Sequence, residues 1–387
     1  MQGLINLIAE SEAYNAYKNA MFSLIFDLGG IIPGILLYKL IIPFERSYRW
    51  IIYLYPAMLS VRGVINGIFT GRLSTGLHLG IVKANFKNNT EYFWNLYFSM
   101  MILCAFGGCF LGPLISLATG SDAVEVSAVA ISSMVLSFFM VSGVTLVVAF
   151  TAFKKGYDPD YLVYPIMSTI ADILVTLSYF LVIWLIFNNG VILSMFIIFI
   201  LILPWIIYII KTNVISMEFI EILSKITLSV IVTLFIAFLT GTTLGISKES
   251  FPPYVYIVYP ATIDTIGDVG SIVGSLATTR LALGKVRGFC DYITENFNEL
   301  VGIKLALLTM FAGYTLLPSV TIGKLSFKCF LILITGVVSS ILIALISLFV
   351  AFLAYRVKLD PDDFVNPLVS TFSDLITTVI MIIFVRI

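Results

Sequence analysis

The chain has 387 residues, of which 60% are hydrophobic and only 11% are charged, so it lacks the charged surface of a soluble protein. Its 22 basic and 22 acidic residues cancel, and this excludes the strong positive field of a nucleic-acid-binding protein. The spacings of its four cysteines fit neither a zinc site nor a redox pair. The composition therefore predicts an all-α integral membrane protein.

Eleven apolar runs are long enough to cross a bilayer as helices, because a hydrocarbon core of about 30 Å needs roughly 20 helical residues. In chain order they lie at about 21–42, 50–70, 93–118, 126–152, 162–187, 190–210, 222–245, 254–276, 301–321, 329–353 and 364–386. Such continuous runs lack the alternation of barrel strands, and a helix satisfies its own backbone polar groups inside lipid. We expect eleven transmembrane helices.

The positions of Lys and Arg predict the orientation, since cytosolic loops carry an excess of both. With a cytosolic N-terminus, the inner side carries Lys18, Arg72, Lys83, Lys87, Lys154, Lys155, Lys211, Lys225, Arg280, Lys285, Arg287, Arg356 and Lys358. The outer side carries only Lys39, Arg46, Arg49, Lys248, Lys324, Lys328 and Arg386. The first twenty residues also lack the basic region and cleavage site of a signal peptide. We expect a plasma-membrane protein with its N-terminus in the cytosol.

Two motifs occur twice in the chain, which indicates an internal repeat. Tyr55 to Gly80 aligns without gaps on Tyr259 to Gly284, and Asp158 to Thr176 aligns on Asp360 to Thr378. Each repeat then holds five spans, with the first motif on its second helix and the other entering its fifth helix.

An odd number of spans has a topological consequence, because a directly fused second copy would enter the membrane upside down. The run at 190–210 has no counterpart in either repeat and would restore the orientation as an eleventh span. We therefore predict two five-helix repeats in parallel orientation, at 1–188 and 216–387, joined by a linker helix at 189–215. A peripheral packing position of the linker helix is compatible with this 5+1+5 arrangement.

Asp172 and Asp374 occupy matching positions of the two fifth helices. Each follows its Asp-Pro-Asp loop by about a dozen residues, or roughly 18 Å of helix, which places it near the bilayer centre. An ionised carboxylate there costs about 2.5 to 3.5 kcal/mol, so such residues are functional candidates. The alternative is a hydrogen-bonded acid at a helix interface, but its presence in both repeats favours function. We expect the two acids to face each other across a wet cavity.

Each fifth helix also presents a stripe of oxygen-bearing side chains, because residues four apart share a helix face. The stripes consist of Asp374, Ser370 and Asn366 in one repeat and Asp172, Ser168 and Tyr164 in the other, with Thr371 and Thr169 beside them. Oxygen ligands suit hard cations, and Mg²⁺ gives up its water reluctantly, so the stripes predict a site for a largely hydrated ion. The lack of a His or Cys cluster argues against a soft metal.

The second helix of the second repeat carries two further acids, Asp264 and Asp268, among Gly267, Gly270 and Gly274. Glycines at this spacing let helices approach closely and expose backbone carbonyl groups, which suits either packing or ion coordination. We therefore include Asp264, Asp268 and Gly267 among the candidate metal-binding residues.

The first repeat differs at these positions. Ser60 and Val64 stand in place of the two aspartates, and Arg62 stands where the second repeat has Ile266. Arg62 either pairs with an acid across the pseudo-twofold axis or extends to an interface. Asp27 lies in the first span, and the sequence identifies no partner for it.

At these motifs the chain resembles the MgtE family of Mg²⁺ transporters and its solute-carrier relatives. The resemblance lies in P-x6-G before GRLSTGLHLG, in P-x6-GD before TTRLALG, and in DPD…P…ST..D of both repeats. It covers essentially the whole chain as two tandem transporter domains. It implies five-helix units whose second and fifth helices line a central pore, with pore acids at Asp172 and Asp374 and supporting polar positions at Ser168, Ser370 and Asn366.

The chain departs from the family pattern at two points. Bacterial members carry cytosolic gating domains, whereas only about twenty residues precede the first span here. The Asn that usually follows the motif glycine is replaced by Val64 in one repeat and by Asp268 in the other, which bears on ion selectivity and stoichiometry. A fused pair also contains its own pseudo-dimer, so we expect a functional monomer.

The expected function is transport of Mg²⁺, with Mn²⁺ and Co²⁺ as alternative cargo, by a channel or by exchange for Na⁺ or H⁺. A secondary transporter of another solute, or a Na⁺/H⁺ exchanger, is the main alternative. An intramembrane aspartyl protease is more remote, because Thr265 stands where the GxGD element of those enzymes has its first glycine. We do not expect an enzyme.

Overall fold

The computed structural model describes residues 11–45, 47–86, 88–155, 159–212, 217–247, 252–286, 288–322, 327–357 and 361–386. Their regular structure is helical throughout. The helices are α1 (Glu12–Glu45), α2 (Trp50–His78), α3 (Glu91–Thr119), α4 (Ala123–Lys154), α5 (Pro159–Thr212), α6 (Met217–Ser247), α7 (Pro253–Ala282), α8 (Phe289–Glu295), α9 (Phe297–Ile322), α10 (Phe327–Val357) and α11 (Pro361–Arg386).

Nine helices of the described ranges are long and apolar enough to cross a membrane, which confirms a multi-pass membrane protein. The run predicted at 254–276 forms α7, whose apolar character is interrupted by Asp264 and Asp268. The backbone of α5 breaks at Gly190, with φ 76° and ψ 164°, at the predicted boundary between the fifth span and the linker helix. A glycine adopts this positive φ without strain. The 5+1+5 arrangement and the orientation stay predictions.

The first span is not the uniform helix that its composition predicts. An α-helical start ends at Leu24, a 3-10 turn follows over Ile25–Gly30, and a π turn occupies Leu37–Ile41. Pro33 lacks a backbone N–H group and so interrupts the regular hydrogen bonding between these turns. The 3-10 turn contains Asp27, whose side chain is buried.

The chain divides into two compact units that cross the repeat boundaries. The second-repeat unit comprises Met1–Ile35 and Ser247–Ile387, and the first-repeat unit comprises Leu36–Ile246. The first helix of the chain, α1, therefore packs against α7 and α9 of the other repeat. Likewise α6, which precedes the second repeat's motifs, belongs to the first-repeat unit. The domain boundaries predicted from the repeats stay predictions.

Glycines bring α1 and α7 into backbone contact within the second-repeat unit. A Cβ atom on Gly34 would overlap the carbonyl group of Ile257, and one on Gly30 would lie 2.8 Å from the Cα of Ala261. A residue four positions earlier on α1 therefore contacts a residue four positions later on α7. This antiparallel register carries Asp27 towards the level of the α7 acids.

The same contact recurs between α6 and α2 in the first-repeat unit. A Cβ atom on Gly241 would overlap the carbonyl group of Tyr53, and the Tyr53 ring covers Gly245. In the sequence repeat, Tyr53 corresponds to Ile257, so Gly241 corresponds to Gly34. The two units therefore share the packing of a first helix on a second helix.

Candidate functional site

Asp374 lies in α11, and its side chain is only 6% exposed. One turn later, the Thr378 hydroxyl donates a hydrogen bond to the backbone carbonyl of Asp374 over 2.6 Å. The hydroxyl groups of Thr378 and Tyr259 lie 2.8 Å apart, and Tyr259 belongs to α7. The second and fifth helices of this repeat are therefore joined beside the candidate pore acid.

Asp172 has the same setting in the first-repeat unit, although its side chain is only partly buried. The Thr176 hydroxyl donates to the Asp172 carbonyl over 2.7 Å and lies 3.0 Å from the Tyr55 hydroxyl. A second link lies one turn further along α5, where Tyr179 donates to the Ile51 carbonyl over 2.8 Å. Both predicted acids are thus held in matched environments within their own units.

The polar stripe of α11 is described in part. Ser370 is partly buried, and its carbonyl accepts a 2.6 Å hydrogen bond from the Ser373 hydroxyl. Thr371 is fully buried, and its hydroxyl donates to the Pro367 carbonyl over 2.7 Å. The side chain of Asn366 lies outside the described residues.

The corresponding stripe of α5 is less enclosed within its unit. Ser168 and Thr169 are both partly buried, one turn before Asp172. The side chain of Tyr164, the next position of this stripe, lies outside the described residues. The role of all these hydroxyl groups towards a metal ion stays a prediction, as does the facing of Asp172 and Asp374.

The glycines of α7 have a packing explanation. A Cβ atom on Gly267 would lie 3.0 Å from the Ser373 hydroxyl oxygen, and one on Gly270 would lie 2.6 Å from the Val369 side chain. Ser373 and Val369 both belong to α11. The small residues therefore let the second helix approach the fifth helix closely beside Asp374, and a direct metal-binding role of Gly267 stays a prediction.

Asp268 has a partner that the sequence did not identify. Its side chain shares a hydrogen bond with that of Asp27, the buried acid of α1. Tyr314 lies close enough to interact electrostatically with Asp27, Asp264 and Asp268, and its hydroxyl is 2.8 Å from that of Thr265. The sequence identifies Asp27 as an acid inside a span, but only the α1–α7 register brings it to Asp268.

The first-repeat unit has no acidic group of this kind at the matching positions. Ser60 and Val64 replace the α7 acids. Two turns before Gly241 lies Leu234, where the other unit has Asp27 two turns before Gly34. Leu234 instead contributes to an apolar contact around Gly107. The two units are therefore chemically different at this level.

Arg62 is 2% exposed, so its side chain does not extend to an interface. Its guanidinium donates a hydrogen bond to the Cys104 sulfur over 3.2 Å and lies 5.8 Å from the centre of the Phe138 ring. Both contacts lie within the first-repeat unit. Of the two roles predicted for Arg62, extension to an interface is therefore wrong.

Within the described ranges, no three side chains among His, Cys, Asp and Glu come together as a metal-binding group. The candidate centre is thus one carboxylate in each unit, Asp172 or Asp374, accompanied by hydroxyl groups rather than by further acids. Such a set suits a hard cation that keeps part of its water shell.

Two stretches of the chain, 55–182 and 259–384, match the model of the MgtE family, described as divalent cation transporters. Each match begins at the Tyr-Pro pair of a second helix and ends within the fifth helix, which confirms the tandem repeat. No curated protein and no solved structure matches the chain. Because the two matches cover more than half of its length, this protein belongs to the MgtE family and is a membrane transporter of divalent cations rather than an enzyme.

Proposed function

We propose that the protein transports Mg²⁺ through a pore between its two repeats, with Asp172 and Asp374 as the acids that attract the ion. The observation that carries this proposal is the matched setting of these two acids inside apolar helices. A carboxylate is costly in a membrane span, so its duplication in a cation transporter supports a role towards the cargo.

The hydroxyl groups near these acids suit the water shell of the ion. Water bound to Mg²⁺ donates hydrogen bonds, and carboxylate and hydroxyl oxygens accept them. Ser168 and Thr169 serve Asp172 in this way, and Ser370, Thr371 and Asn366 serve Asp374. Mn²⁺ and Co²⁺ are alternative cargo for the same oxygen ligands.

We further propose that transport is coupled to H⁺ rather than to Na⁺. Two neighbouring carboxylates repel each other unless one of them carries a proton, which the hydrogen bond between Asp27 and Asp268 then holds. Asp264 places a further carboxyl group near Tyr314. This arrangement supports an exchange mechanism in which only one of the two units handles the proton.

We also propose an orientation and an oligomeric state for the protein. The excess of basic residues in alternate loops supports a cytosolic N-terminus and an external C-terminus in the plasma membrane. Because one chain supplies both fifth helices, a monomer is sufficient for a pore with two acids.

Mg²⁺ uptake by proteoliposomes, followed with an enclosed fluorescent Mg²⁺ indicator, tests the pore assignment. Asp172→Asn and Asp374→Asn keep the side-chain size but remove the charge, and each should lower uptake by about ten- to a hundredfold. Asp291→Asn, on the short helix α8, is the matched control and should leave uptake unchanged. Wild-type uptake by both pore variants would refute the assignment.

The coupling ion is tested in the same vesicles. An inwardly or outwardly directed pH gradient should change the rate of Mg²⁺ uptake, whereas replacing Na⁺ by choline should have no effect. If uptake is independent of the pH gradient but stops when choline replaces Na⁺, the coupling ion is Na⁺ instead. If neither the pH gradient nor the replacement of Na⁺ changes uptake, the protein is a channel.

A further inference from the structure

A chain of three groups with the same geometry occurs in both units. In one unit it leads from the Tyr259 hydroxyl to the Thr378 hydroxyl and then to the Asp374 carbonyl, over 2.8 and 2.6 Å. In the other unit it leads from Tyr55 through Thr176 to the carbonyl of the second candidate acid, over 3.0 and 2.7 Å.

The direction of these hydrogen bonds follows from the number of available protons. A threonine hydroxyl has one hydrogen, and in each chain that hydrogen is directed to the aspartate carbonyl. The tyrosine must therefore donate its own hydrogen to the threonine oxygen. All four hydroxyl-bearing residues are buried, so no water competes for these bonds: Tyr55, Thr176, Tyr259 and Thr378.

The chain of bonds fixes the rotation of the fifth helix. Asp374 and Thr378 are one turn apart, so the threonine bond follows the helix axis, while the tyrosine bond crosses to the neighbouring helix α7. A rotation or slide of α11 relative to α7 would stretch the crossing bond. The side-chain direction of a helical residue follows from the rotation of its helix.

We infer that Tyr55, Thr176, Tyr259 and Thr378 are positioning residues that set the direction of the two pore aspartates. This inference rests on the proposed function, because it assigns these residues to the ion's path through Asp172 and Asp374. The tyrosines and threonines do not touch the ion in this scheme. They act by holding each aspartate at one angle around its helix.

The test measures Mg²⁺ uptake as a function of Mg²⁺ concentration in proteoliposomes. Thr378→Val keeps the side-chain shape but removes the hydroxyl, and it should raise the half-saturating concentration by about tenfold. Thr378→Ser keeps the hydroxyl and should restore the wild-type value. Thr335→Val removes another buried hydroxyl, one that bonds only within α10, and should leave the half-saturating concentration unchanged.

A second pair of variants tests the first-repeat unit and distinguishes an effect on transport from an effect on folding. Tyr55→Phe should raise the half-saturating concentration, whereas Tyr97→Phe, which breaks a bond to Ser142 between α3 and α4 of the same unit, should change only the melting temperature. If Asp374→Asn abolishes uptake while Thr378→Val and Tyr55→Phe keep the wild-type value, the positioning role is refuted and the proposed function stands. If Asp172→Asn and Asp374→Asn both leave uptake unchanged, the proposed function fails.

Discussion

The side chains of Asp27 and Asp268 share a hydrogen bond between the 3-10 turn of α1 and the middle of α7. The glycine contacts of α1 with Ile257 and Ala261 set the register that allows this approach. One unit thus contains a pair of acids where the other contains apolar side chains, and this difference leads to the first prediction.

Asp268→Asn should uncouple Mg²⁺ transport from protons. Asparagine can still donate a hydrogen bond to Asp27, so the fold should persist, but the pair loses one of its two titratable groups. We expect the pH change inside vesicles during Mg²⁺ uptake, measured with an enclosed pH indicator, to fall severalfold per ion transported. Ser60→Ala, at the first-repeat position that matches Asp264, is the control, and an unchanged pH signal in Asp268→Asn would refute proton coupling.

Gly34→Ala should destabilise the second-repeat unit, because the added Cβ atom would overlap the Ile257 carbonyl. Overpacking of this kind costs about 1 to 3 kcal/mol. Thermal unfolding in detergent should therefore show a lower melting temperature. Gly313→Ala adds the same atom where nothing lies within 4 Å, and it should not lower the melting temperature. Equal melting temperatures for both variants would contradict the close α1–α7 packing.

Arg62→Ile should leave the protein as stable as the wild type or stabilise it by about 1 kcal/mol, because a buried guanidinium carries a large desolvation penalty. Isoleucine is the residue at the matching position of the second repeat, Ile266. Arg280→Leu is the contrasting variant, since Arg280 forms a 2.6 Å ion pair with Glu299. Of these two variants, we expect only Arg280→Leu to lower the melting temperature. Strong destabilisation by Arg62→Ile would show that its charge has an anionic partner.

The proposed facing of Asp172 and Asp374 predicts a bridging site for a soft metal when both are replaced by cysteine. In a background without the natural cysteines, Asp172→Cys combined with Asp374→Cys should respond to micromolar Cd²⁺, because thiolates bind soft metals strongly. The readout is Cd²⁺ affinity measured by absorbance of the metal–thiolate bond. Each single cysteine variant should bind Cd²⁺ at least tenfold more weakly, and equal affinities would place the two positions apart.

Much of the fold follows from the sequence because lipid removes most alternatives. In lipid, the backbone N–H and C=O groups of a long apolar run such as 126–152 find no water to pair with, so the run must form a helix, and the structure places α4 there. The exceptions are where a local feature competes with the helix. The 3-10 turn at Ile25–Gly30 lies just before Pro33, which lacks a backbone N–H group, and the break at Gly190 uses the positive φ that glycine adopts without strain.

The candidate site is likewise predictable from the sequence only in part. Asp374 is identifiable from the sequence because an aspartate recurs at the matching position of both repeats, but no sequence pattern indicates that Tyr259 bonds to Thr378. That contact joins side chains from two helices, and its geometry depends on the helix rotation. The glycines of α7 were open to two explanations until their contacts with α11 favoured packing.

By itself, the sequence determined that the chain is a helical membrane protein with two related halves and an acid in each fifth helix, because hydropathy and repetition are properties of the chain alone. Only the tertiary structure decided that α1 packs with the second repeat, that Asp27 meets Asp268, and that Arg62 is enclosed by Cys104 and Phe138. These are contacts between distant segments. They depend on how helices are placed and rotated in space, which no local pattern of residues specifies.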